Sequence, residues 1–127
     1  MTNDSPTVTI GSYLKLAVRF PHIHFVAAHR LSVFGACDAA IEAWADHALD
    51  NVWFDMGTLR AFVNGAVETL LTPVGPDRLC FGTGQPPRYP RPFIRLLESL
   101  DTVEETREKI AWRNAVQAFP RLARTHP

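Results

Sequence analysis

Phe20-Pro21-His22-Ile23-His24-Phe25-Val26-Ala27-Ala28-His29-Arg30 is the stretch on which the reading of the fold turns. Its apolar run, Ile23 to Ala28, ends in a histidine, and helical patterns lie on both sides. A strand covered on both faces has this character, apolar without alternation and closed by a polar tip. Where strands and helices alternate, chemistry collects at the carboxyl ends of the strands, which is where His29 falls. Asp77-Arg78-Leu79-Cys80-Phe81-Gly82-Thr83-Gly84 repeats the form later: a short apolar strand, then a loop.

Working outward, Ser12 reads as the N-cap of a helix carrying Tyr13, Leu16, Ala17 and Phe20, stopped by Pro21. Beyond the strand, Cys37, Ala40, Ile41, Trp44 and Ala48 recur at helical spacing. Val52-Trp53-Phe54-Asp55-Met56 reads as a second buried strand. Gly57-Thr58 opens the cleanest helix, with Leu59, Phe62, Val63, Ala66, Val67, Leu70 and Leu71 in one stripe. Leu79 to Gly82 is the third strand, and a stiff proline-rich loop, 85–92, follows it. Phe93, Leu96, Leu97 and Leu100 mark a helix. Thr102-Val103-Glu104-Glu105 has the form of a capping box that starts another, and Asn114 caps a last short turn. The order is helix, strand, helix, strand, helix, strand, helix, helix. It predicts an α/β fold: about three parallel strands alternating with helices, and a helical C-terminus.

Composition narrows the function. The 127 residues make one domain, 1–127, with 13 lysines and arginines against 13 aspartates and glutamates. A balanced charge favours neither nucleic acid nor an anionic membrane as partner. No apolar run reaches the roughly 20 residues of a bilayer crossing, and the N-terminus lacks a signal-peptide pattern, so a cytoplasmic location is expected. Cys37 and Cys80 read as small buried hydrophobes, because no CxxC pair exists.

Four segments together carry a resemblance. Leu14-Lys15-Leu16-Ala17-Val18-Arg19-Phe20-Pro21-His22-Ile23-His24-Phe25-Val26-Ala27-Ala28-His29 is similar to part of the amidohydrolase-related family, which includes aminocarboxymuconate-semialdehyde decarboxylase-like enzymes. Asn51-Val52-Trp53-Phe54-Asp55 resembles that family's next strand. Gly75-Pro76-Asp77-Arg78-Leu79-Cys80-Phe81-Gly82-Thr83-Gly84-Gln85-Pro86 resembles its last strand, whose usual ending is Phe-Gly-Ser-Asp-x-Pro. Glu105-Thr106-Arg107-Glu108-Lys109-Ile110 with Asn114-Ala115 resembles its C-terminal helices. The likeness spans residues 12–119, with its segments in the family's order.

The resemblance implies a partial (β/α)8 barrel, the last three strands of eight, from metal-dependent hydrolases and decarboxylases. It implies zinc or manganese on histidines and an aspartate, with His29 as the surviving metal ligand of this chain. Gly84 stands where the family has its aspartate, and a glycine can neither ligate nor accept a proton. The chain alone is therefore expected to be weak or inactive as an enzyme, with no tightly bound metal and no catalytic residue assigned. A non-catalytic interaction module, or one subunit of a split barrel, is the alternative.

The remaining candidates read more simply. His22 and His24 begin a strand, at the face opposite the chemistry, so His22 is read as a solvated turn residue and His24 as hydrogen-bonded near the strand's base. His47 ends a helix and His126 is in the tail. Asp55 is a carboxylate that faces either the barrel axis or an arginine partner. Asp38, Glu42 and Asp46 form a solvated acidic face, and Arg88, Tyr89 and Arg91 form a loop able to meet an anion. An open three-stranded sheet is expected to leave Trp53, Phe54, Phe62 and Phe81 partly exposed. It would then seek a second copy of the chain or a complementary N-terminal half-barrel.

Overall fold

The computed structural model describes residues 10–28, 44, 49–59, 65–84, 86 and 88–124. Helix α1 (Ile10–Arg19) is followed by β1 (Phe25–Ala27), β2 (Val52–Asp55), a 3-10 turn (Met56–Thr58) and α2 (Ala66–Val74). Then come β3 (Leu79–Cys80), α3 (Pro90–Glu98), α4 (Glu104–Glu108), a π segment (Lys109–Arg113), α5 (Asn114–Ala118) and a 3-10 turn (Pro120–Arg124). The three strands form one parallel sheet in the order β1-β2-β3, so spatial order follows chain order. The register pairs Val26 with Trp53, Phe54 with Leu79, and Asp55 with Cys80. The structure is thus a mixed α/β fold with three parallel strands and helices, and the helix expected over 36–48 lies, apart from Trp44, outside the described residues.

Strand alternation divides the apolar side chains between two faces. Ala27, Val52, Phe54 and Leu79 pack against Ala17 of α1, Val67, Leu70 and Val74 of α2, Phe93 and Leu97 of α3, and Ile110. Trp44, in the segment that links β1 to β2, packs on this same face, its ring edge-on to Phe54 with centroids 5.5 Å apart. The described apolar groups of the two connecting segments, Trp44 and Leu49 in the first and those of α2 in the second, thus lie on one side of the sheet. The opposite face carries Trp53 and Cys80 with Val26 packed against them, and Ala118 of α5 covers them.

Packing on the two faces corrects the expected exposure of Trp53 and Phe54. Trp53 is 2 % exposed and Phe54 1 %, while Phe81 is half-buried and Phe62 lies outside the described residues. Three groups shelter the Trp53 indole. The His24 ring lies 5.0 Å from it, the Arg78 guanidinium sits 4.9 Å over it, and Ala118 packs against it. The cation–π contact suits arginine, whose planar, weakly hydrated head covers an aromatic face without losing its charge.

Local chemistry shifts several expected boundaries. Ser12 lies inside α1 and does not cap it. The strands are shorter than their apolar runs, because pairing ends where the neighbour ends. The stripe from Leu59 to Leu71 is not one helix: Leu59 is extended, and Gly65, at φ 74°, precedes α2. Pro90 occupies the first turn of α3, where its missing N–H costs nothing, so that helix starts earlier than its apolar stripe. Val103, not Thr102, is the N-cap of α4, and it makes no side-chain cap bond.

Two buried asparagines tie the amino ends of the strands to the helices. Asn51, 5 % exposed, donates through Nδ2 to Ala17 O and Phe20 O at 3.1 Å and to Ile23 O at 2.9 Å. It therefore collects the last carbonyls of α1 and the turn that leads into β1. Asn114, 2 % exposed, donates to Pro76 O and Leu79 O, both at 2.7 Å. The expectation that Asn114 caps a turn is thus corrected: it opens α5, but its amide reaches across to the β3 segment.

Candidate functional site at the strand tips

Parallel strands deliver their carboxyl ends to one edge, where Asp55 ends β2 and Gly82, Thr83 and Gly84 follow β3. Asp55 is extended, at φ −97° and ψ 120°, and its Oδ1 accepts the Gly57 N–H at 2.7 Å. This caps the 3-10 turn, an Asx arrangement that suits a carboxylate at a helical start. The same carboxylate lies over Gly82. A Cβ built on Gly82 would sit 1.8 Å from Asp55 Oδ1. Glycine is the one residue type that leaves room for the carboxylate there.

The two tip loops touch backbone to backbone. A Cβ on Gly57 would come within 2.7 Å of Gly82 C and Gly84 N and 2.8 Å of Thr83 N. Gly84 has φ 67°, and a Cβ on it would meet Gly57 O at 2.9 Å and Arg88 Cδ at 3.1 Å. Arg88 closes the arrangement from the proline-rich loop, its Nη1 donating to Gly57 O at 2.8 Å and Leu59 O at 3.1 Å. Backbone fills the space between these two tips.

Electrostatics point the same way. Burial, and then the negative charge of Asp55, push the Cys80 thiol up to about 11. A thiol held in its neutral form is the reverse of an activated nucleophile. Asp55 acts here as a positioning group, holding Gly57 and facing Gly82.

The sequence-derived candidates are distributed as follows. His29, with Cys37, Asp38, Glu42, Asp46, His47 and His126, lies outside the described residues. His22 is exposed in the turn after α1. His24 Nδ1 donates to Ala118 O at 2.6 Å, so its partner is a backbone carbonyl at the base of β1, away from the tips. Arg88 spends its guanidinium on the tip loops, whereas Tyr89 is 85 % exposed, so the two do not converge on one ligand. The lattice of Gly57, Gly82 and Gly84 was not read from the sequence, although small residues recurring after two successive strands are a signal for close backbone approach.

The metal that the resemblance implies would rest on His29, which lies outside the described residues. They contain no group of three or more His, Cys, Asp or Glu able to hold an ion. At Gly84, the position of the family's carboxylate, an added side chain would meet the Gly57 carbonyl and the Arg88 stem.

Away from the tips, a cleft of about 350 Å³ lies between α3 and the α4 helix. Phe81, Ile94, Leu97 and Ala111 form its apolar lining, and Glu98, Glu104, Arg107 and Glu108 its polar one. Each glutamate is paired, to Arg95, Arg107 and Arg113 respectively. Among the described residues, no helix is long and apolar enough to cross a membrane. Comparison with protein-family models, with curated proteins and with solved structures finds no match.

Proposed function

We propose that this chain is the closing wall of an amidohydrolase-related (β/α)8 barrel, acting by association and not by catalysis of its own. One observation carries the reading: the parallel strands follow chain order, and Trp44 before β2 packs on the same face as α2. Singly wound barrels keep chain order in this way, whereas doubly wound sheets reverse it. The segments that resemble the family fall on β1, β2, β3 and the C-terminal helices in the family's order.

The strand tips support the non-catalytic half of the proposal. A hydrolase or carboxy-lyase needs room beside its carboxylate for water and substrate. Here Asp55 is engaged with Gly57 and Gly82, and Gly57 abuts the 82–84 backbone. The partner in this reading is a second copy or a chain carrying the complementary strands. It joins at β1, which has a neighbour on one side only among the described residues.

Two measurements test the proposal. Zinc or manganese added to the purified chain leaves the melting temperature unchanged; a rise of several degrees would restore His29 as a ligand and overturn the inactive reading. Size-exclusion chromatography with light scattering shows more than a monomer; a well-behaved monomer at high concentration removes the associative reading.

A further inference from the structure

The outer edge of β3 has an unusual occupant. Phe54 N–H donates to Arg78 O at 2.8 Å, so the backbone groups of Arg78 face β2. Those of Leu79 and Phe81 consequently face the other way, since successive residues of a strand alternate their bonding side. In a longer parallel sheet, one residue of a fourth strand would donate to Leu79 O and accept from Phe81 N–H. Here Asn114 Nδ2 donates to Leu79 O at 2.7 Å, and Phe81 N–H donates to Ile110 O at 2.8 Å.

The π segment makes this possible. In an α-helix the Asn114 N–H would bond to Ile110 O, but it bonds to Lys109 O, five residues back. Ile110 O is thereby left available to accept from the strand. Lys109 Nζ adds an ion pair to Asp77 at 3.0 Å, in the turn before β3. Three positions of one helical stretch therefore engage the segment from Pro76 to Phe81.

We infer that residues 109–114 are a built-in edge cap, in which a π-bulged helix and an asparagine amide imitate one residue of a neighbouring strand. The cap closes β3 to pairing in trans. Its release exposes an unpaired parallel edge whose available occupant is a second copy of this chain, adding strand to strand. The inference rests on the hydrogen bonding of the sheet and not on the amidohydrolase-related reading, whose closed barrel would need the cap released for β3 to pair with a further strand.

Amide exchange on the full chain, with two variants, tests it. In the wild type the Phe81 amide exchanges slowly, unlike those of Thr83 and Gly84 in the loop beyond. Asn114→Ala removes the donor, and deletion of Ala111 returns the helix to α spacing and withdraws Ile110 O. Each variant speeds Phe81 exchange about tenfold or more, the effect of losing a bond worth ~1.4 kcal/mol. Each also forms a larger assembly by light scattering than the wild-type chain. Wild-type Phe81 exchange as fast as that of Gly84 overturns the inference, even if both variants fail to fold. So does unchanged exchange or unchanged assembly size in variants that do fold.

Discussion

The two ends of the sheet solve the same problem with opposite physics. At the amino end, the chain is held by donors: Asn51 gathers three carbonyls and Asn114 two. At the carboxyl end it is held by missing atoms, because Gly57, Gly82 and Gly84 let loops and a carboxylate approach closer than any Cβ permits. The first end fails when a hydrogen-bond donor is removed, and the second fails when a methyl group is added. In barrels the amino end serves stability and the carboxyl end serves chemistry. Here both ends are built as joints.

The largest effect is expected at the amino end. Asn51→Ala removes the donor shared by three carbonyls; Phe20 O keeps the Ile23 N–H, but the buried Ala17 O loses its amide partner, and an orphaned buried acceptor is costly. A loss of about 3 kcal/mol, read as a lower urea midpoint with unchanged slope, is expected. A loss below about 1 kcal/mol would mean that water replaces the amide and that the donor joint is not needed.

At the carboxyl end, two glycines separate backbone crowding from side-chain crowding. Gly57→Ala collides with backbone atoms that cannot step aside, and about 2–3 kcal/mol is expected. For Gly82→Ala the three nearest atoms all belong to the Asp55 carboxylate, so adding Asp55→Ala should relieve much of its cost. A double-mutant cycle in urea reads that coupling. Simple additivity of Gly82→Ala and Asp55→Ala would break the description of Asp55 as the group that Gly82 accommodates.

Adding a carboxylate at Gly84 tests the same joint more gently. Gly84→Asp places a side chain at φ 67° against Gly57 O, at a cost of about 1–2 kcal/mol. Thermal melting with and without zinc checks the variant. A metal-dependent gain in stability would show that the tip opens readily into a site.

The smallest effect depends on pH. The Cys80 thiol is raised from 9.0 to about 11, so the folded state retains a proton that the unfolded chain releases. Its contribution is complete below pH 9 and is lost as pH rises from 9 through 11. By about pH 10 the loss is about 1 kcal/mol, and Cys80→Ala abolishes this part of the slope. Urea titrations of both proteins at two pH values measure the difference. Identical slopes would mean that Asp55 and burial do not act on the thiol.

Legibility in the sequence followed the range of the interaction. The apolar runs of β1, β2 and β3 and the punctuation by Pro21, Gly75 and Pro76 are local signals, and the three parallel strands they predicted are observed. The helix over Leu59–Leu71 failed because periodicity records a buried face and not backbone continuity, which Gly65 interrupts. Thr102 looked like a cap because its spacing to Glu105 is right, but the helix starts one residue later than that pattern needs. Trp53 was expected to be partly exposed because three strands were counted and the helix that folds across them was not.

The amino-acid order alone settled where apolar runs alternate with helical stripes, and hence a parallel α/β sheet, because periods of two and near four are written residue by residue. Tertiary structure alone decided that Asn51 and Asn114 are clamps, that the tips of β2 and β3 meet through backbone, and that a π-bulged helix occupies the β3 edge. Those outcomes depend on groups separated by as many as 38 residues. No local pattern encodes which distant carbonyl will need a donor, or which distant loop will need an atom left out.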